Sequence, residues 1–223
     1  MDFEPLYLTF KLAVVTTAIL LVLALPLAYW LSGTRSKFKP ILEALVTMPL
    51  VLPPTVLGFY FLVALSPRNP FGQWLSENLG LQLVFSFKGL VLASLVYSLP
   101  FMVQPIQAGF SALPKSLKEA AQLMGKSRWV VLKDVLIPNI KPSVWTGIVL
   151  AFAHTIGEFG VVLMIGGNIP GETRVASIAI YDSVEALDYA SANTYSLILF
   201  AITFSILLTV YAINGGYLKT QRT

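Results

Sequence analysis

The segment LAVVTTAILLVLALPLAYWL, residues 12–31, is a run of twenty residues without a charge. A helix of about 20 predominantly apolar residues is long enough to cross the hydrocarbon core of a bilayer. The whole chain of 223 residues is 56% hydrophobic and only 12% charged, whereas a soluble domain carries about 25% charged residues. This composition excludes an ordinary soluble domain and predicts that lipid is the main solvent.

Four further uncharged or nearly uncharged segments follow the first one along the chain. Together they predict spans at about 12–31, 44–66, 89–110, 143–165 and 195–217. The start of the chain lacks the positive region and cleavage site of a secretory signal, so the first segment is retained as a span. We therefore predict an all-α integral membrane protein, with about five transmembrane helices in a single domain, 1–223, located in the cell membrane.

Lysine and arginine are distributed unevenly between the two sides of this predicted topology. Eleven lie on one side, in the loops after the first and third spans and after the last span, and three lie on the other. Cytoplasmic loops carry the excess of basic residues. We expect the N-terminus outside, the C-terminus inside and the loop 111–141 in the cytoplasm. The net charge of +4 is thus a topology signal, and no nucleic-acid partner is expected.

The residue inventory excludes several kinds of chemistry. The chain has no cysteine and a single histidine, so thiolate chemistry is excluded and a histidine-based metal cluster is not expected. Residues 166–173 resemble a phosphate-binding loop, but Glu172 stands where that loop has its lysine and would repel phosphate. We expect no metal, no cofactor and no catalytic site in this chain, and an energy source on another subunit.

The predicted cytoplasmic loop contains a short helix with clear start and stop signals in the sequence. Ser116 and Glu119 form a capping box, and Gly125 is suited to the left-handed conformation that ends a helix. A second helix is predicted from Ser127 to about Leu136, ended by Pro138. One apolar face of the first helix is formed by Leu117, Ala120, Ala121 and Met124.

Two interpretations of this loop remain open. It is either a capped helix that only covers the spans, or a helix that docks into a groove of a cytoplasmic partner. An apolar face on a cytoplasmic loop favours docking.

The loop resembles the EAA loop of ABC importer permeases. The resemblance rests on Glu119-Ala120-Ala121, on Gly125, and on the aliphatic residues and proline at Val135, Ile137 and Pro138. In that family the helix inserts into a cleft of the ATPase and transmits its closure to the spans. The resemblance implies an ATPase-coupling role for Ser116, Leu117, Glu119, Ala120, Ala121, Met124, Gly125 and Pro138.

Three further segments are similar to the permease subunit of molybdate importers: MPLVLPPTVLG at 48–58, GEFG at 157–160 and GNIPGETR at 167–174. Sulfate and thiosulfate permeases share part of this pattern and remain the alternative. The resemblance implies transport of molybdate or tungstate, with an extracytoplasmic oxyanion-binding protein as partner. It also implies a second copy of the chain and two cytoplasmic ATP-binding subunits.

No predicted span has a lysine or arginine at its centre, and Glu158 would repel a divalent oxyanion. We therefore expect transient contacts rather than tight binding, made by hydroxyls and by backbone N–H groups freed near prolines. The candidate pathway or gate residues are Pro53, Pro54, Thr55, Ser94, Ser98, Thr155, His154 and Glu158.

His154 and Glu158 are four residues apart, which places them on one face of a continuous helix. Ionisable residues within a span are functional candidates. We expect a packed pair that orients the gate or the dimer seam. The alternative is a proton relay, which would make the chain a proton-coupled secondary transporter. An intramembrane enzyme ranks third, because no nucleophile–base or metal constellation is present.

The two predicted outer loops differ in character. Residues 68–88 have apolar side chains near helical spacing and predict an amphipathic interfacial helix. Residues 168–193 are net negative, which favours contact with a protein partner over direct capture of an anion.

Overall fold

The computed structural model describes residues 2–114, 116–117, 119, 123 and 125–214. The described residues are helical, with no strand among them. The helices are α1 (Glu4–Gly33), α2 (Lys39–Thr47), α3 (Pro54–Leu65), α4 (Pro70–Leu79), α5 (Phe87–Ala112), α6 (Arg128–Val130), α7 (Ile137–Asn139), α8 (Lys141–Gly157), α9 (Gly160–Gly166), α10 (Ala176–Glu185) and α11 (Tyr189–Asn214). The predicted all-α fold is confirmed.

Three helices, α1, α5 and α11, are each long and apolar enough to cross a membrane. Two bent pairs meet the same test when each is taken as one span: 39–50 with α3, bent by 107°, and 131–139 with α8, bent by 75°. The described residues therefore contain three to five candidate spans. The number five, the span boundaries and the orientation stay predictions.

Prolines account for the sharp bend between α2 and α3. A 3-10 turn at Met48–Leu50 follows α2, and Pro53 then has the extended ψ of 136° before α3 begins at Pro54. Proline fits the first turn of a helix because its missing N–H has no partner there. Within α5, by contrast, Pro100 and Pro105 leave the helix unbroken.

The second helical segment of the loop 111–141 is longer than predicted. It passes from α6 through a π-helix at Val131–Leu136 into α7, so the predicted end at Pro138 is wrong. The backbone N–H of Ile137 bonds to the carbonyl of Leu132, five residues back. Proline clashes with the carbonyl four residues before it in a regular α-helix. The wider register of the π-helix at Val131–Leu136 leaves room for the ring of Pro138.

The core of the bundle is formed where α5 packs between α1 and α8. Its fully buried members include Leu20, Leu31, Met102 and Ile106. A second cluster joins α3, α9 and the N-terminal halves of α1 and α5 around residues such as Leu12 and Ile165. Helix α11 lies at the periphery, and only Ala192 and Tyr195 near its start are buried core residues.

The segments between the long helices are ordered by hydrogen bonds. Helix α4 lies within residues 68–88, where the amphipathic helix was predicted, and Asn69 accepts a hydrogen bond from the Phe71 N–H at its start. At the other ordered loop, the Thr9 hydroxyl oxygen accepts a bond of 2.8 Å from the N–H of Ala176, at the first residue of α10. The first bond caps α4 locally, and the second fixes the start of α10 against α1.

Candidate functional site

A pocket of about 490 Å³ opens where the polypeptide leaves α8 and restarts as α9. We call it the break pocket. The first residues of α3 form its opposite wall, so that the starts of two short helices meet there. Its lining residues are Pro54, Thr55, Tyr97, Ala153, His154, Gly157, Glu158, Phe159 and Gly160.

Glu158 occupies the break itself. It has extended backbone angles (φ −70°, ψ 135°) because α8 ends at Gly157. Its side chain is 5% exposed, and Oε2 accepts a hydrogen bond of 3.1 Å from the Ser94 hydroxyl of α5. Its backbone carbonyl accepts one of 2.6 Å from the Ser177 hydroxyl of α10. One residue thus joins the break to two other helices.

The second carboxylate oxygen of Glu158, Oε1, differs from the first in its hydrogen bonding. In the part of the chain that the structure describes, Oε1 is buried and has no hydrogen-bond partner. A buried polar atom without a partner costs free energy. The break pocket, which Glu158 lines, is where a partner for this oxygen would lie.

One turn further along α5, Ser98 makes the second polar link to α8. Its hydroxyl lies 3.1 Å from His154 Nδ1 and 2.9 Å from the Thr155 hydroxyl. The Thr155 hydroxyl also donates to the carbonyl of Ala151 at 2.8 Å. Ser98 and Thr155 are buried, so this link is shielded from solvent.

Aromatic rings of α5 hold the His154 imidazole from the pocket side. The Phe101 ring is stacked on it at a centroid distance of 3.9 Å, and the Tyr97 ring lies at 4.9 Å. Neither residue is among the pathway residues predicted from the sequence. Their spacing of four residues on α5, one turn, is the signal that would have found them.

The predicted pathway residues are therefore brought together in large part. Pro54, Thr55, His154 and Glu158 line the break pocket, and a second group, Ser94, Ser98 and Thr155, forms the hydrogen-bonded layer behind it. Pro53 immediately precedes the wall formed by α3.

The expected His154–Glu158 pair on a continuous helix is wrong in its geometry. Because α8 ends between them, each of the two side chains bonds to its own serine on α5 rather than to the other. A metal site finds no support either: the described residues contain no group of three or more His, Asp or Glu side chains placed to hold an ion.

Glycines bring the walls of the break pocket into close contact. A Cβ atom on Gly160 would lie 2.8 Å from the Pro54 Cβ, and one on Gly58 would lie 2.7 Å from the Met164 Cβ. Real Cβ atoms do not approach that closely, so α3 and α9 pack at a distance that only glycine allows.

The predicted coupling loop is described only in part. Ser116, Leu117 and Glu119 have helical backbone, as predicted, and Gly125 has the left-handed φ of 71°. Ala120, Ala121 and Met124 lie outside the described residues. Leu123 is 90% exposed, which is unusual for a large apolar side chain.

The loop that resembles a phosphate-binding loop is held by its own side chains. Arg174 bonds to Asp182 at 2.5 Å and to Asn168 at 2.8 Å, and Asn168 also donates to both carboxylate oxygens of Asp182. The Thr173 hydroxyl donates to the carbonyl of Gly166 at 2.7 Å. Arg174 is thus committed to an internal ion pair.

A bundle of apolar helices, broken at a pocket that holds ionisable side chains, is typical of a membrane transport subunit. The family described as "Binding-protein-dependent transport system inner membrane component" matches residues 11–219. The chain belongs to this family, and it is a multi-pass membrane protein.

Several relatives and solved structures are similar along most of the chain. The molybdenum transport system permease protein ModB of Azotobacter vinelandii is 47% identical over 212 residues, which is 95% of this chain and 93% of the relative. The putative molybdenum transport system permease protein YvgM of Bacillus subtilis is 33% identical, covering 93% and 92%. A probable sulfate transport system permease protein, cysT of Chlorella vulgaris, is 34% identical, covering 80% and 68%.

The fold is shared with more distant transporters. A bacterial ABC transporter involved in the import of the acidic polysaccharide alginate superposes with a TM-score of 0.78 at 16% identity, covering 95% of this chain and 78% of the other. At that identity the similarity shows the fold alone.

Proposed function

We propose that this chain is the permease subunit of a binding-protein-dependent ABC importer that carries molybdate or tungstate. The observation that carries the proposal is the 47% identity to a molybdenum permease along 95% of the chain. The sulfate permease relative is less similar and matches a smaller share of both chains. Tungstate is included because it has nearly the same size and charge as molybdate.

The proposed complex contains a second copy of this chain, two cytoplasmic ATP-binding subunits and an extracytoplasmic oxyanion-binding protein. Five helices enclose little space on their own, so two copies together would form the pathway within the membrane lipid. The chain itself performs no covalent chemistry. ATP hydrolysis takes place on the partner subunits, and selectivity resides in the binding protein.

In this mechanism the loop 111–141 transmits the ATPase cycle. Closure of the ATPase pair draws the two loop helices together and opens the pathway outward, and hydrolysis resets it inward. Glu119, Gly125 and the exposed Leu123 would be presented to the ATPase, since the described part of this loop leaves them exposed. Substitution of the loop should therefore uncouple the subunits without disturbing the break pocket.

The break pocket is proposed as part of the oxyanion pathway. It offers the Thr55 hydroxyl and the start of α3, whose positive dipole end attracts an anion. Thr55 supplies the first backbone N–H of that helix, because Pro54 has none and the Val56 N–H bonds to the Pro53 carbonyl. A few neutral donors bind a dianion weakly, and weak binding suits a pathway from which the ion must leave.

The cargo is tested by reconstituting the chain with its ATPase in proteoliposomes and supplying the binding protein loaded with molybdate. Uptake should require the binding protein, and tungstate should compete with molybdate while excess sulfate should not. Equal competition by sulfate would instead identify a sulfate permease.

A further inference from the structure

A second cavity lies along the same helix as the break pocket. It has a volume of about 400 Å³ and is formed between α2 and the later half of α5. We call it the glutamine pocket, because Gln104 and Gln107 line it. Its other lining residues are Glu43, Val46, Thr47, Ala108 and Ser111.

One face of α5 runs from the break pocket to the glutamine pocket. Tyr97, Phe101, Gln104, Ala108 and Ser111 are separated by four, three, four and three residues, which is the spacing of one helix face. We call this set the α5 stripe. At 1.5 Å per residue it extends for about 21 Å, well over half of the hydrocarbon thickness.

The α5 stripe is too polar to face lipid. Gln104 is exposed in the single chain and lies eight residues before the end of a 26-residue apolar helix. A polar side chain turned toward hydrocarbon costs free energy, so such residues face protein or a water-filled cavity. By contrast, the large side chains that α11 exposes include Phe200 and Phe204, and an exposed hydroxyl such as that of Ser205 is satisfied by a carbonyl of the same helix.

The amide of Gln104 retains a donor for a ligand. Its Nε2 donates to the Thr47 hydroxyl oxygen at 3.4 Å, a long bond, and an amide nitrogen carries two N–H groups. A tetrahedral oxyanion is an acceptor at every oxygen and would be met here by a neutral donor.

Glu43 is the one carboxylate lining this cavity, and two neighbours balance it. It accepts a hydrogen bond of 2.6 Å from Gln107, and its Oε1 lies 3.7 Å from the Lys39 ammonium. The partner charge and the donated hydrogen bond both reduce its repulsion of an anion.

Phe101 lies on the stripe between the two pockets, and its ring stacks on His154 of α8, a lining residue of the break pocket. Phe101 is the stripe residue that follows Tyr97 of the break pocket and precedes Gln104 of the glutamine pocket. On this helix face, Phe101 therefore lies between a residue that lines the break pocket and residues that line the glutamine pocket.

We propose that the α5 stripe is the wall along which a divalent tetrahedral oxyanion moves, with Gln104 as a hydrogen-bond donor in the glutamine pocket. The Phe101–His154 stack is the barrier between that pocket and the break pocket. This inference rests on the proposed function, because it assigns the pathway of the same cargo.

The first test asks whether the stripe faces water, whatever the cargo is. The chain has no cysteine, so single cysteines can be introduced as Gln104→Cys and, as a control on the apolar face of α11, Phe204→Cys. Membranes containing the full complex are treated with a water-soluble thiosulfonate reagent that carries a sulfonate group. We expect Gln104→Cys to react at least about tenfold faster. Equal, slow reaction at both positions would overturn the inference.

The second test asks whether Gln104 meets the cargo. Gln104→Glu places a negative charge on the stripe and should lower molybdate uptake in proteoliposomes about tenfold, equivalent to about 1.4 kcal/mol. Gln73→Glu is the matched control, because Gln73 is also an exposed glutamine whose amide donates a side-chain hydrogen bond, in its case to Glu77 at 2.8 Å. Its uptake should equal that of the unmodified chain.

The outcomes of the two tests separate the two claims. Unchanged molybdate uptake by Gln104→Glu would overturn the role of that residue. Faster labelling of Gln104→Cys together with transport of sulfate instead of molybdate would leave the pathway standing and refute only the proposed cargo. Co-purification of each variant with the ATPase checks that the complex has assembled.

Discussion

Helices α5 and α11 have the same length, 26 residues, and both are apolar enough to cross a membrane. Their surroundings differ completely. In the most apolar stretch of α5, 56% of the residues are buried inside the chain, whereas in that of α11 only 6% are. Hydropathy therefore identifies both as spans but says nothing about which one carries function.

What separates the two helices is the placement of their polar groups. The serines of α5 bond across to α8 and to the break at Glu158, over 56 to 64 residues of sequence. Along α11, serine and threonine hydroxyls such as those of Ser205 and Thr209 bond back to carbonyls of the same helix four residues earlier. The Tyr195 hydroxyl, near the start of α11, is the exception and donates to the Asp2 carbonyl at 2.6 Å. Polar groups that link helices mark the functional helix, and polar groups satisfied within one helix mark a lipid-facing one.

The largest difference between α5 and α11 is expected in the side of the membrane on which the residues next to them lie. Ser116 follows the end of α5 and Ser183 precedes the start of α11, and the positive-inside rule puts these two positions on opposite sides. Single cysteines placed there should be labelled from opposite sides of sealed vesicles, with the cysteine-free chain as control. Labelling of both from the same side would refute the predicted five-span topology.

The next contrast concerns packing. A Cβ on Gly147 of α8 would lie 3.0 Å from the carbonyl oxygen of Met102 in α5. Gly147→Leu should therefore lower the free energy of unfolding by about 2 kcal/mol, the usual cost of overpacking. Ala201→Leu on the exposed side of α11 should change it by less than about 0.5 kcal/mol. Thermal unfolding in detergent measures both, and similar losses would mean that α11 is packed as tightly as α5.

The smallest contrast concerns single hydroxyls. Ser98→Ala removes the hydrogen bonds to His154 and Thr155 and should cost about 1 kcal/mol of unfolding free energy. Ser205→Ala, on the exposed side of α11, removes only a bond to its own helix at Ala201 and should be nearly neutral. Equal effects in the same unfolding assay would show that the α5–α8 link does not stabilise the bundle.

Much of the fold could be predicted from the sequence because apolar runs and prolines act locally. The uncharged run at 12–31 lies within α1, and the prolines at 49, 53 and 54 lie where the chain bends most sharply. The break between α8 and α9 contains no proline. Gly157 and Gly160 on either side of Glu158 are its local signal. The hydrogen bonds to Glu158 from Ser94 and Ser177 come from distant segments, and the local pattern does not encode them.

The candidate site was predicted in part for the same reason. Hydroxyl and ionisable residues inside apolar runs stand out, so Ser94, Ser98 and Glu158 were selected. Gln104 and Gln107 are just as conspicuous in an apolar helix. Whether they belong to a functional site, however, depends on which face of α5 the other helices leave uncovered. That information exists only once the neighbouring helices are in place.

In the proposed mechanism, ATP on a partner subunit, rather than a proton gradient acting on His154 and Glu158, drives the oxyanion through this chain. The most direct measurement is molybdate uptake by proteoliposomes containing the complex, with binding protein on one side and either ATP or a proton gradient as the energy source. We predict uptake with ATP alone, its loss with Glu119→Lys, and no uptake with the gradient alone. Uptake driven by the gradient without ATP, and abolished by Glu158→Gln, would contradict the account.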